Sequence, residues 1–134
     1  YDVKDQTRRG VSLSGKAAGE VDILIKEKDF PAAIIEALNL NSLNTTYLDM
    51  HIDKIYDYDT AGNKFNIILL YVTVADFMTF CDKYFRHIEL YSYPFEKISI
   101  DRDIMIDNIS YSDIKIMKTV HNRNQCGLYC FICV

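Results

Sequence analysis

One stretch of the sequence, residues 65–74, is apolar on both faces of an extended chain. It reads Phe-Asn-Ile-Ile-Leu-Leu-Tyr-Val-Thr-Val, and its β-branched and aromatic side chains favour a strand. A strand that is apolar on both faces is typical of the centre of a sheet whose faces are covered. This stretch therefore predicts a central strand with helices packed against the sheet.

The flanking segments predict a fold of the α/β (α+β) class. Both helices are predicted to begin at capping boxes, Thr46 with Asp49 and Thr73 with Asp76. Because a helix joins them, the second and third strands are expected to be parallel neighbours in a mixed sheet. The predicted elements are two strands within residues 19–40, joined at 26–31 by a bend marked by Asp29 and Pro31, and then a helix over 42–58 and the strand 65–74. A second helix opens at the capping box of residues 73–76 and runs to about 90, and a tail hairpin of 113–121 and 128–134 follows.

The remaining segments carry weaker signals. Residues 1–18 are polar and basic, residues 12–19 are interpreted as a loop, and residues 95–112 are ambiguous. The Gly-Lys pair at 15–16 is not a phosphate-binding P-loop, because Ala follows it and the next element is a strand. We expect residues 1–134 to form a single domain, which belongs to a larger protein because it begins with Tyr1 rather than Met.

Net charge, hydropathy and cysteine content limit which partners and which cellular compartment we expect for the protein. The net charge is −4, so a nucleic-acid surface has to be a local basic patch. No apolar run is long enough to span a membrane, so no membrane partner is expected. The spacing of Cys130 and Cys133 suits zinc, but a strand directs these side chains to opposite faces. Buried free thiols in a reducing, cytoplasmic setting are therefore expected.

Glu36 is the anomaly of the sequence. It shares a strand face with Ile34 and Leu38, in a run apolar enough to be buried. A carboxylate is rarely buried unless it is paired or holds a metal. Asp22 lies on one face of the preceding arm together with a further acid, Glu20.

In this hairpin an Asp is followed about fourteen residues later by a Glu, and a helix and a parallel strand come next. This arrangement resembles the PD-(D/E)xK nuclease superfamily. The resemblance covers residues 19–74 and implies the restriction-endonuclease-like fold, a mixed central sheet flanked by helices. It further implies that Asp22 and Glu36 hold Mg²⁺ (or Mn²⁺), with Glu20 as a further acid that can join the metal site. It also implies that the domain hydrolyses phosphodiester bonds of DNA, or of RNA.

The family lysine is missing from its usual position, which Leu38 occupies. Lys16, before the first strand, is the first substitute that we expect, and Lys54, on the following helix, is the second. Arg8, Arg9 and Lys16 are expected to contact the nucleic-acid backbone.

Three functions stay open. The first is a nuclease, an effector module of a bacterial defence protein, acting with further domains of the same chain or as a homo-oligomer. The second is a catalytically inactive nuclease-fold module for binding or assembly. The third is an unrelated interaction domain in which Glu36 is paired with Lys54 or His51 and Asp22 accepts hydrogen bonds from the turn at Gly19.

Overall fold

The described part of the chain is a mixed α+β fold, with a seven-stranded sheet and two helices. The computed structural model describes residues 1–8, 20–102, 104–106 and 111–134. The elements in chain order are β1 (Asp2–Arg8), β2 (Glu20–Glu27), β3 (Phe30–Leu40), α1 (Thr45–Tyr58), β4 (Phe65–Val72), α2 (Phe77–Leu90), β5 (Lys97–Asp101), β6 (Ile114–His121) and β7 (Cys126–Cys133).

The strands lie in the order β1-β2-β3-β4-β7-β6-β5, so β4 occupies the centre of the sheet, as its sequence predicts. β3 and β7 flank β4 in parallel, and the outer strands pair antiparallel. The predicted parallel pairing of β3 with β4 across α1 is confirmed.

The two faces of the sheet differ in what covers them. Side chains of both helices pack in one core with alternate residues of the strands, among them Ile34, Ile68 and Cys130. Ile68 pairs with Cys130 on one side and with Glu36 on the other, and Ile34 lies two residues before Glu36. All of these residues therefore lie on the same face of the sheet. The opposite face presents half-buried apolar residues such as Ile67 and Phe131. Both described helices therefore cover the face that carries Glu36.

Each helix begins at a different residue from the predicted capping box. Asn44 and Asp76 are the N-caps, and the side chain of each accepts from the backbone N–H three residues on. Thr46 already lies inside α1, and the backbone N–H of Thr73 donates instead to the carbonyl of Leu40 at 2.9 Å. Asn and Asp are preferred N-caps because their short side chains reach those N–H groups. Among the described residues, neither helix is long and apolar enough to cross a membrane.

The edge strands and the first hairpin turn also differ from expectation. β1 falls in the polar segment 1–18, where no strand was predicted, because its residues gain order from pairing with β2 and not from an apolar pattern. The predicted loop of residues 12–19 lies outside the described residues. The turn between β2 and β3 is formed by Lys28 and Asp29, both with positive φ, in the manner of a tight hairpin. Pro31 lies within β3, opposite Lys26, and does not form the bend.

The predicted strand at the end of the chain is confirmed as β7. Cys130 lies in the core beneath the helices, and Cys133 lies three residues further along the strand, on the other face. Burial raises the pKa of the Cys130 thiol to about 12. All four cysteines are free thiols in the structure, and the expectation that they hold no zinc stays a prediction.

A polar cluster closes the connection between α1 and β4. The fully buried carboxylate of Asp59 accepts from the backbone N–H groups of Gly62 and Asn63, each at 2.8 Å, and from the side-chain amide of Asn66 at 3.0 Å. The Asn66 side chain in turn accepts from the backbone N–H of Ile34 at 2.9 Å. This cluster therefore ties the loop to β3, on the same face as Glu36.

A second buried polar group makes stability depend on pH. The ring of His121 is fully buried against Tyr93 and Tyr56, and burial lowers its pKa, with a further lowering from nearby Lys97. The folded state therefore binds less proton than the unfolded state, whose histidine has a pKa of about 6.5. We expect stability to fall as the pH drops below about 6.5, and His121→Gln to reduce that fall. Urea unfolding at several pH values checks this, and an unchanged fall in the variant would contradict it.

Candidate active site

The ladder between β2 and β3 opens at the position where the two acids face each other. Residues of β2 and β3 pair antiparallel from Glu27–Phe30 to Ile23–Ile35. Beyond them, the carboxylate of Asp22 accepts from the backbone N–H of Ala37 at 2.9 Å. The backbone N–H of Asp22 faces Oε1 of Glu36 at 3.4 Å. Side chains thus replace backbone partners here, which fixes the direction of both carboxylates.

Glu36 is fully buried, and helix α1 supplies its partners. Its Oε2 lies 2.7 Å from Nζ of Lys54 and 2.9 Å from Nδ1 of His51. The two partners are three residues apart on α1 and so occupy one face of the helix. An ionised carboxylate with no exposure needs such partners, because isolated burial of a charge is very costly. The pairing of Glu36 with Lys54 and His51 that the sequence left open is present.

Lys54 joins the two acids. Its ammonium, 2.7 Å from Glu36, also lies 3.9 Å from Oδ1 of Asp22. Asp22 and Glu36 therefore lie on the same face of the sheet, as their strand positions predict. The side chain of Asp22 remains 40% exposed, so the site is open to solvent on that side.

The donors of the site suit a hard cation such as Mg²⁺, which prefers carboxylate oxygens and retains several waters. Each acid has one oxygen held by strong protein contacts, namely Oδ2 of Asp22 and Oε2 of Glu36. The other oxygen of each has only longer contacts, at 3.9 Å to Lys54 for Asp22 and at 3.4 Å to a backbone N–H for Glu36. Among the described residues, no group of three or more His, Cys, Asp or Glu is arranged to hold a metal. The described part of the site thus offers two carboxylates.

Several residues that the sequence assigned to the site cannot be placed by side chain. Arg9 and Lys16 lie outside the described residues, as does Gly19. Arg8 and Glu20 are the paired ends of β1 and β2, but the described structure does not extend to their side chains. Their roles stay predictions.

One feature of the site was not evident in the sequence. The backbone N–H of Ala37 orients Asp22, and a backbone donor leaves no trace in residue types. The contact of His51 with Glu36, in contrast, was among the alternatives that the sequence left open. The ring of His51 is nine-tenths buried against Glu36.

Comparison of the chain with family models, curated proteins and solved structures gives no match. The nuclease resemblance therefore rests on residues 19–74 and on the contacts of Asp22, Glu36 and Lys54.

Proposed function

We propose that this chain is a metal-dependent nuclease domain that hydrolyses phosphodiester bonds of DNA or RNA, on a sheet of the restriction-endonuclease-like kind. Asp22 and Glu36 are the proposed metal ligands, and Lys54 takes the place of the missing strand lysine. The free thiols favour a reducing compartment such as the cytoplasm. A role as an effector module in bacterial defence is part of the proposal and rests on the resemblance alone.

A single observation supports this proposal most. The ammonium of Lys54 lies within 4 Å of carboxylates from two adjacent strands. An acid pair with a lysine is the set of groups that the PD-(D/E)xK resemblance implies, and here the lysine comes from α1 and not from β3. The strand position usually held by lysine is filled by Leu38, which is buried in the core.

Each residue has a part in the proposed chemistry. A divalent cation bound at the acids would neutralise phosphate charge and lower the pKa of a bound water. Asp22, oriented by the Ala37 N–H, presents its exposed side to the substrate. Lys54 supplies a fixed positive charge at the point where negative charge develops on the phosphate oxygens. His51 holds Glu36 in position through its Nδ1.

The inactive binding module remains the second candidate, and one observation favours it. Glu36 is wholly buried, and its Oε2 is already engaged by two side chains. A closed ion pair of this kind is what a fold would retain after losing its metal. The two candidates differ in cleavage and not in fold.

Cleavage assays separate them. Wild type, incubated with duplex and single-stranded DNA and with RNA in Mg²⁺ or Mn²⁺, is expected to cut at least one substrate and to stop when EDTA is added. Asp22→Asn and Glu36→Gln should each lower cleavage by at least about 10³-fold, because each removes a ligand charge without changing side-chain size.

Matched isosteric changes at exposed acids, Asp82→Asn and Glu27→Gln, should leave the rate unchanged. Full activity in Glu36→Gln would show that the site assignment is wrong. A folded wild type that cuts no substrate with either cation would favour the binding module.

A further inference from the structure

The carboxyl ends of the three parallel strands border an open cleft of about 400 Å³. β3, β4 and β7 end at Leu40, Val72 and Cys133, which lie at one edge of the sheet because the strands are parallel. A backbone hydrogen bond from Thr73 to Leu40, at 2.9 Å, ties two of these ends together. In open sheets with parallel strands, ligands bind preferentially outside this edge.

Six of the residues that line the cleft are polar and uncharged, and the other three, Leu40, Val72 and Val134, are apolar. Among the described residues, no Lys, Arg, Asp or Glu side chain lines it, so neither a phosphate nor a metal ion finds an opposite charge there. Its character favours a ligand that is recognised by hydrogen bonds and stacking. The polar lining residues are Asn39, Asn41, Ser42, Asn44, Tyr71 and Thr73.

Asn39 and Tyr71 form the centre of this surface. They are register partners on adjacent strands, so their side chains lie side by side on the face opposite Glu36. Both are exposed, Tyr71 to 51%, and among the described residues neither side chain has a hydrogen-bond partner. The sheet thus presents a free amide next to a free aromatic ring.

We propose that this cleft binds one unpaired nucleobase of the nucleic-acid substrate, with Tyr71 stacking on the base and Asn39 hydrogen-bonding to its edge. The inference rests on the proposed nuclease function. Asparagine can donate to and accept from a base edge, and aromatic side chains stack on bases of any sequence. The base has to be unpaired because a base within a duplex has both faces stacked and cannot offer one to a side chain.

Asn39 lies near the acids along β3 but on the other face of the sheet. It follows Glu36 by three residues, or roughly 10 Å of backbone. A nucleic-acid strand that contacts both faces would cross the carboxyl edge of the sheet, and this path is longer than the direct separation. The cleft would then set the cut several nucleotides from the recognised base.

Binding measured without cleavage tests the inference. The protein carrying Asp22→Asn is titrated into fluorescein-labelled single-stranded DNA and RNA 12-mers, and anisotropy is followed at several salt concentrations. Adding Tyr71→Ala should raise the Kd by about 5–100-fold, the effect of losing one base stack. The slope of log Kd against log salt should stay unchanged, because no phosphate contact is lost. Tyr71→Leu, which keeps an apolar side chain on the sheet, should give the same loss, and Tyr1→Ala, at another exposed tyrosine, should give none.

An oligonucleotide with abasic positions should bind the Asp22→Asn parent and the parent carrying Tyr71→Ala equally. A Kd within twofold of the parent in both Tyr71 variants overturns the inference. An equal loss of affinity on the abasic oligonucleotide also overturns it, as does the absence of binding by the parent. If the intact chain proves unable to cleave but shows the expected losses, the base site stands and the nuclease proposal falls. If it cleaves but Tyr71→Ala and Tyr71→Leu change nothing, the nuclease stands and the base site falls.

Discussion

Replacing Lys54 with methionine is expected to slow phosphodiester cleavage by about 10²–10³-fold, the scale of losing one preorganised electrostatic contact. The ammonium of Lys54 lies 2.7 Å from Glu36 and 3.9 Å from Asp22, so no other described cation is equally placed to act. Methionine keeps most of the side-chain volume and removes the charge. Lys54→Arg should recover only part of the rate, because the planar guanidinium does not occupy the place of a compact ammonium. Single-turnover cleavage rates provide the measurement.

Two comparisons make this prediction specific. Lys83→Met changes an exposed lysine of α2 and should leave the rate unaltered. Lys16→Met tests the residue that the sequence ranked first, and a larger loss there than at Lys54 would contradict the present assignment. Because Lys54 also neutralises the buried Glu36, rates should be compared at a temperature where circular dichroism shows both proteins folded.

The largest effect on stability is expected from Asp59→Ala, with a loss of about 3–5 kcal/mol in the free energy of unfolding. The change removes the acceptor for two backbone N–H groups, those of Gly62 and Asn63, and for the Asn66 amide. The donors of Asn63 and Asn66 are left in a region closed to water, since these residues are 2% and 1% exposed, whereas Gly62 is half-buried. Each buried donor without a partner costs about 1–3 kcal/mol. Urea unfolding followed by circular dichroism measures the loss.

A graded series tests the cause. Asp59→Asn keeps one acceptor oxygen but turns an amide group towards the amide of Asn66, so an intermediate loss is expected. Asp82→Ala, at an exposed acid of α2, should cost less than about 0.5 kcal/mol. If Asp59→Ala costs no more than Asp82→Ala, the cluster does not hold the loop as described.

The sequence predicts the central strands of this fold better than its edge strands and the ends of its helices. The strand 65–74 and the hairpin of residues 19–40 are apolar by their own composition, and both are present. β1 is a polar strand whose order comes from pairing with β2, which a local pattern does not reveal. β5 lies in the segment 95–112 that was left ambiguous, because the alternation of Ile98 and Ile100 is too short to decide the element. The helix caps were misplaced for a related reason, because several Ser, Thr, Asn and Asp residues compete near each start and the backbone selects one.

For the site, strand alternation was sufficient to place Asp22 and Glu36 on one face, and the spacing of α1 brought Lys54 to it. The choice between Lys16 and Lys54 could not be made from spacing, since it depends on how α1 packs over β3. The Asn39–Tyr71 pair was not foreseen either. Its members lie on different strands, and only the register of β3 with β4 makes them neighbours.

The strand order also determines which parts of the molecule can form first. β2 and β3 are joined by a two-residue turn, and α1 and β4 follow directly, so the contacts of Asp22, Glu36 and Lys54 are all made within the first half of the sheet. Along the chain, α2, β5 and β6 separate β4 from β7. The pairing of β4 with β7 therefore closes a long loop, and closing such a loop is slow. During synthesis, the residues through β4 leave the ribosome before β7 does. The acids and their lysine can therefore meet while half of the sheet is still unmade, and the asparagine–tyrosine pair, between β3 and β4, can form in the same early half.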